Sequence, residues 1–194
     1  LCLDHVSVTG DQNTAAVCAY NGGTLENLTV AGSIEAKDFA AGIFAASLPM
    51  KEEDETLSKL VNHAKVTAEG TAAGIVAQTK EKVLLEDCVN TGVIEAAVAA
   101  GITTAECENL VLMRCQNYAP IISSDNESYG ITSNLTANLT DCVGVSENVY
   151  PIAADANESE NCLYFISGGE KLEDALLADI CDISLTIGET DAND

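Results

Sequence analysis

Tryptophan is absent from this 194-residue chain, and the aromatic residues together make up only 4% of it. A core without large rings has to be thin and closely stacked, built from Ala, Val, Ile and Leu. The same scarcity argues against a sugar-binding surface that relies on aromatic platforms. Basic residues are also few: 8 Lys and Arg stand against 31 Asp and Glu, a formal net charge of −23. Nucleic-acid binding needs a basic footprint and is excluded, and anionic membrane surfaces would repel the chain. No apolar run reaches the ~18–20 residues of a membrane span, so no direct membrane insertion is expected.

Catalytic signals are missing too. His5 and His63 are the only histidines, and neither accompanies a nucleophile motif. There is no His-Glu-x-x-His, no Gly-x-Ser-x-Gly and no phosphate-binding glycine loop. The cysteines lack the Cys-x-x-Cys spacing of zinc sites. The expectation is a protein without cofactor, metal or catalytic residues.

What the chain does contain is repetition. Ala41-Gly42-Ile43, Ala73-Gly74-Ile75, Ala100-Gly101-Ile102 and Tyr129-Gly130-Ile131 place glycines 32, 27 and 29 residues apart. A period in this range is the mark of a solenoid. Upstream of each lies a segment of the type Leu-x-x-(Leu/Cys): Leu25-Glu26-Asn27-Leu28, Leu57-Ser58-Lys59-Leu60, Leu85-Glu86-Asp87-Cys88, Leu112-Met113-Arg114-Cys115 and Leu139-Thr140-Asp141-Cys142. Leu3-Asp4-His5-Val6 aligns as an earlier copy, and Cys162 extends the series.

Short apolar–polar alternation between small residues is a strand pattern. The expected fold is therefore all-β: a right-handed parallel β-helix of about six coils, since parallel crossovers are overwhelmingly right-handed. Its inward ladder would comprise Val17, Ile43, Ile75, Ile102 and Ile131 on one strand series. Leu28, Leu60, Cys88, Cys115, Cys142 and Cys162 would form the other. Gly42, Gly74, Gly101 and Gly130 would serve as turns, through φ > 0 or because no side chain fits there. Cysteines in the ladder read as small buried hydrophobes with free thiols. Cys2, Cys18, Cys107 and Cys181 fit no ladder, and their pairing stays open.

Two stretches carry helical spacing. Residues 50–61 read as an insertion with a short outer helix. Residues 168–180 carry Leu172, Leu176 and Ile180 at i, i+4 and i+8, and read as a helix capping the solenoid's open end. The division is thus solenoid repeats over 1–165, then capping helix, final strand and acidic tail over 166–194.

The run Asp87-Cys88-Val89-Asn90-Thr91-Gly92-Val93-Ile94, followed by Ala99-Ala100-Gly101-Ile102, resembles the bacterial GLUG repeat. That family shows Cys-x-Asn-x-Gly-x-Ile/Val, a variable turn, then Gly-Gly-Ile-x-Gly. Arg114-Cys115-Gln116-Asn117 and Lys59-Leu60-Val61-Asn62 look like weaker copies of its first half. Here the double glycine is Ala-Gly or Tyr-Gly, and the glycine after Ile is Ala or Thr. The resemblance, over about residues 3–165, implies a β-helical stalk or adhesive region of a larger secreted or cell-wall protein. Such regions flank the catalytic domain of IgA-cleaving metallopeptidases and carry no enzymatic residues.

The resulting expectation is a non-catalytic structural or adhesive segment on a bacterial cell surface, monomeric by itself. Its partner would be a host or cell-surface protein or glycan. The alternative is a carbohydrate-binding or carbohydrate-cleaving β-helix.

Overall fold

The computed structural model describes residues 1–21, 24–47, 55–79, 83–104, 110–134, 136–146 and 158–166. These form strands and no helix, and every strand pairing among them is parallel. The result is a parallel β-solenoid. Leu25 pairs with Leu57, Leu57 with Leu85, Leu85 with Leu112 and Leu112 with Leu139, so four full turns separate the first from the last. The solenoid has about four turns, against the six expected.

The first coil stacks on the second in a register other than the one expected. Leu3-Asp4-His5-Val6 does not lie on Leu25-Glu26-Asn27-Leu28: Leu3 pairs with Val30 and Val6 with Gly32, across a bulge. The next strand fixes that register, because Asn13, Thr14 and Ala15 pair with Phe39, Ala40 and Ala41. The first segment is thus offset by 26 residues on its neighbour, rather than the 22 that the Leu-x-x-Val motif suggested.

A second correction concerns the stretch 50–61, of which 50–54 lie outside the described residues. Glu55–Asn62 is a strand stacked between its counterparts in neighbouring coils, so helical spacing there lost to parallel pairing on both sides. The capping helix, final strand and tail proposed for 166–194 fall beyond Ile166, outside the described residues.

The Leu-x-x-(Leu/Cys) signature now has a cause. In a straight strand, inward positions alternate, so residues three apart face opposite ways. One residue in between takes the left-handed conformation and turns a corner, which returns both apolar side chains to the core. His5, Asn27, Lys59, Asp87, Arg114, Asp141 and Asn161 all have φ of 52 to 55°. Asn, Asp and His tolerate this region best, and five of the seven are of those types.

Inside the coils, equivalent side chains pile up. Leu57, Leu85, Leu112 and Leu139 form one buried column, and Ile34, Val66, Ile94 and Ile121 another. Ile43, Ile75, Ile102 and Ile131 are fully buried, and Val17 is partly buried at the end of that series. Their backbones connect directly: Val17 N–H donates to Ile43 C=O, Ile43 to Ile75, Ile75 to Ile102 and Ile102 to Ile131, at 2.9–3.2 Å. Each fully buried aliphatic side chain contributes ~1.5–3 kcal/mol, a gain no isolated coil could collect.

The recurring glycine just before these isoleucines is a matter of space rather than of φ. A β-carbon on Gly74 would lie 2.1 Å from Gly101 O and 2.6 Å from Asn90 Cγ; Gly42 and Gly101 are hemmed in alike, the latter by Gly130 O at 2.1 Å. Gly74→Ala should therefore destabilise the fold by about 2–3 kcal/mol, the scale of core overpacking. Urea unfolding of the two proteins would measure it, and equal midpoints would refute the close approach.

Candidate functional site

Four features repeat along the axis with side chains that could do chemistry: an asparagine column, a thiol column, a charged corner and a lateral groove.

The asparagine column consists of Asn62, Asn90 and Asn117, all fully buried. Asn62 Nδ2 donates to Asn90 Oδ1 at 2.8 Å, and Asn90 Nδ2 donates to Asn117 Oδ1 at 2.7 Å. Each Nδ2 also donates to the carbonyl two residues on, and each Oδ1 accepts from the amide there: Ala64, Gly92 and Ala119 respectively. Buried amides cost free energy unless paired, and this arrangement pairs them within and between coils. Sequence reasoning quoted these asparagines inside the repeat and gave them no role. Their recurrence two residues after the inward Leu60, Cys88 and Cys115 was the available signal.

The thiol column holds Cys88, Cys115 and Cys142, fully buried, and the half-buried Cys162; below it in register lie Leu60 and Leu28. All four thiols are free, as is Cys2. Each ladder thiol points at the carbonyl two residues before it, and Cys115 Sγ also lies 3.4 Å from Leu85 O of the neighbouring coil. Burial first, then the adjacent thiols of Cys142 and Cys88, push Cys115 well above the ordinary thiol range. A group kept as SH is a poor nucleophile.

The charged corner is the outer face of the left-handed column. Arg114 Nε donates to Asp87 Oδ1 at 2.7 Å, and its terminal nitrogen also meets Glu86. Lys59 reaches Glu26 at 3.8 Å. The Arg114 hydrogen bond is the main reason the Asp87 carboxyl sits below the usual carboxylate range. Lys37 pairs with Asp11 and Lys65 with Glu95 across other coil boundaries. All four described basic side chains are thus tied to carboxylates of a neighbouring coil. His5 and His63 are exposed on the outside, and His63 bonds Thr91 of the next coil.

The groove lies where the chain bends at the Gly-Ile steps. One wall is the outward series Phe39, Thr71, Val98 and Glu127, in register from coil to coil. Gln78 and Ser133 stand on the other wall, and Ala77, Thr104 and Tyr129 are its most buried lining residues. Its volume is about 370 Å³. At the first coil, Asn13 continues the Phe39 series, and Tyr20 lies two rungs along from Gln78. Asn13 Nδ2 donates to Tyr20 Oη at 2.7 Å, a bond that joins the two series. Asn13 Oδ1 is buried there without a hydrogen-bond partner. A second hollow, about 420 Å³, is lined by Asp11, Glu35, Lys37 and Glu69, with Lys37 already paired.

Among the described residues, no three His, Cys, Asp or Glu side chains converge as a metal ion would need. No family model, no curated protein and no solved structure matches the chain.

Two outcomes follow from the columns. Asn90→Ala removes acceptor and donor from the middle of the amide chain and leaves buried partners unsatisfied, so a loss of about 2–3 kcal/mol is expected in urea unfolding. A loss no larger than that of an exposed asparagine would contradict the linkage. For the thiols, a maleimide reagent should label Cys2 rapidly in native protein and reach Cys88, Cys115 and Cys142 only after denaturation. Fast native labelling of all three, read by peptide mass spectrometry, would place them outside the core.

Proposed function

We propose that this chain is a structural and adhesive β-solenoid segment of a larger bacterial protein, secreted or attached to the cell wall, without catalysis of its own. The observation that carries the reading is the stacking itself. From Leu25 to Leu139 each coil spends its inward side chains on its neighbours, and each described cation on an inter-coil ion pair. That investment lengthens and stiffens a rod. Right-handed winding, the rule for parallel crossovers, belongs to the same reading.

The acidic exterior supports it as well. A charge of −23 keeps such a rod soluble and discourages side-by-side association, which suits a monomeric segment. The similarity of the coil spanning Cys88, Asn90, Gly92 and Ile94 to the GLUG repeat is what points to a bacterial surface. Catalysis by a carbohydrate-cleaving β-helix is the competing assignment, and it makes a different demand. It requires paired carboxylates set at a defined separation about a scissile bond.

Two measurements decide. Antibody raised against the purified protein should stain intact, unpermeabilised cells of the source organism; staining that appears only after permeabilisation would overturn the surface assignment. Incubation with a polysaccharide panel, with and without calcium, should release no reducing ends. Sustained turnover would replace the scaffold reading with an enzymatic one.

A further inference from the structure

We infer that the lateral groove is a binding site for an uncharged oligosaccharide lying along the solenoid axis, which rests on the adhesive reading and gives that surface its ligand. The argument starts with hydrogen-bonding capacity. In a β-solenoid, backbone N–H and C=O groups of the walls point along the axis and are consumed by pairing between coils. Here the wall residues Phe39, Thr71, Val98 and Glu127 all sit in such paired strands. An extended peptide in this groove would find no free strand edge to pair with, so its own amides would go unsatisfied.

What the groove offers instead is side-chain hydroxyl, amide and carboxylate: Thr71, Gln78, Ser133 and Glu127, with apolar surface from Phe39 and Val98 between them. Thr71, Gln78, Ser133, Phe39 and Val98 are partly exposed and Glu127 is exposed, while the lining beneath is buried. Hydroxyl-rich ligands with apolar C–H faces match that mixture. Aromatics are scarce in the chain, yet the partly exposed Phe39 lines this cavity above the buried Tyr129.

Charge narrows the ligand further. Among the described lining residues Glu127 is the only carboxylate and no Lys, Arg or His accompanies it, and the chain carries −23 overall. Uronic or sulfated glycans would meet repulsion from Glu127, with no cation among the described lining residues to offset it. The lining runs from Phe39 to Glu127 and Ser133, so the ligand would extend between them along the coils.

Titration calorimetry with cellohexaose, maltohexaose, mannohexaose and chitohexaose, beside an oligogalacturonate, tests this directly. Expected is saturable binding of at least one neutral hexasaccharide and none of the acidic one. Thr71→Trp, which fills the groove, and Gln78→Ala should each weaken binding by about tenfold or more, the scale of one lost buried polar contact. Glu95→Gln, on another part of the surface, should leave it unchanged. Should Thr71→Trp fail to fold by circular dichroism, amide shift changes in the unmodified protein decide: they should centre on Thr71, Gln78, Val98 and Ser133. No binding across the neutral set, shifts elsewhere, or preference for the acidic ligand would overturn the inference. Surface staining of cells is independent of all these results, so the adhesive reading and the ligand can fail separately.

Discussion

Parallel backbone pairing holds successive coils about 4.8 Å apart, and every other feature of the molecule answers to that repeat. At this spacing each side chain sits on its own equivalent, so a column works only if like tolerates like. Aliphatic residues do, which gives the Leu and Ile columns. Amides do so by hydrogen bonding head to tail, as Asn62, Asn90 and Asn117 do at 2.7–2.8 Å. Charges do not, and the corner column accordingly runs Lys59, Asp87, Arg114, Asp141, alternating in sign. The glycines obey the same constraint from the other side: Gly42, Gly74 and Gly101 let the backbone of one coil touch both the next glycine's carbonyl and the amide column.

These columns were legible in the sequence to different degrees. The Ala-Gly-Ile series could be read because its period survives insertions, and the structure buries Ile43, Ile75, Ile102 and Ile131 completely. The Leu-x-x-(Leu/Cys) segments were visible as a motif, but the left-handed corner that produces them was not inferred. At the chain's start the motif misled. Leu3-Asp4-His5-Val6 imitates the pattern and even keeps His5 at φ 55°, yet pairing of Asn13–Ala15 with Phe39–Ala41 pulls Val6 onto Gly32. Local resemblance competes there with a longer stretch of strand pairing, and the longer stretch wins. The groove had no sequence signature, because Thr71, Gln78, Val98 and Ser133 come from three coils and share no motif.

Charge economy ties the fold to its surroundings. The described cations all serve inter-coil pairs, which leaves most of the described carboxylates without an ion pair. Each pair is worth little individually, being exposed and screened by salt. Their consistent placement across coil boundaries has a different consequence: it favours one stacking register over slipped ones, where like charges would meet. Solenoids carry exposed edges at their ends, and a strongly acidic exterior opposes the end-to-end addition of further molecules.

The thiol column bears on where such a protein can operate. Free cysteines are usually oxidised outside the cell, so four stacked thiols look at odds with a surface location. Geometry and burial remove the conflict. Successive thiols in the column project in the same direction from parallel strands, an arrangement poorly suited to the torsion a disulfide requires. Exchange also starts from a thiolate: burial pushes the Cys115 thiol well above the ordinary range, while hydrogen bonds with Cys115 and Cys162 pull Cys142 below it, so packing rather than protonation protects the column. Cys88, Cys115 and Cys142 each direct a sulfur towards backbone carbonyls in the interior, away from oxidants in solvent. A column of packed thiols is therefore compatible with an oxidising exterior for as long as the coils above and below remain stacked.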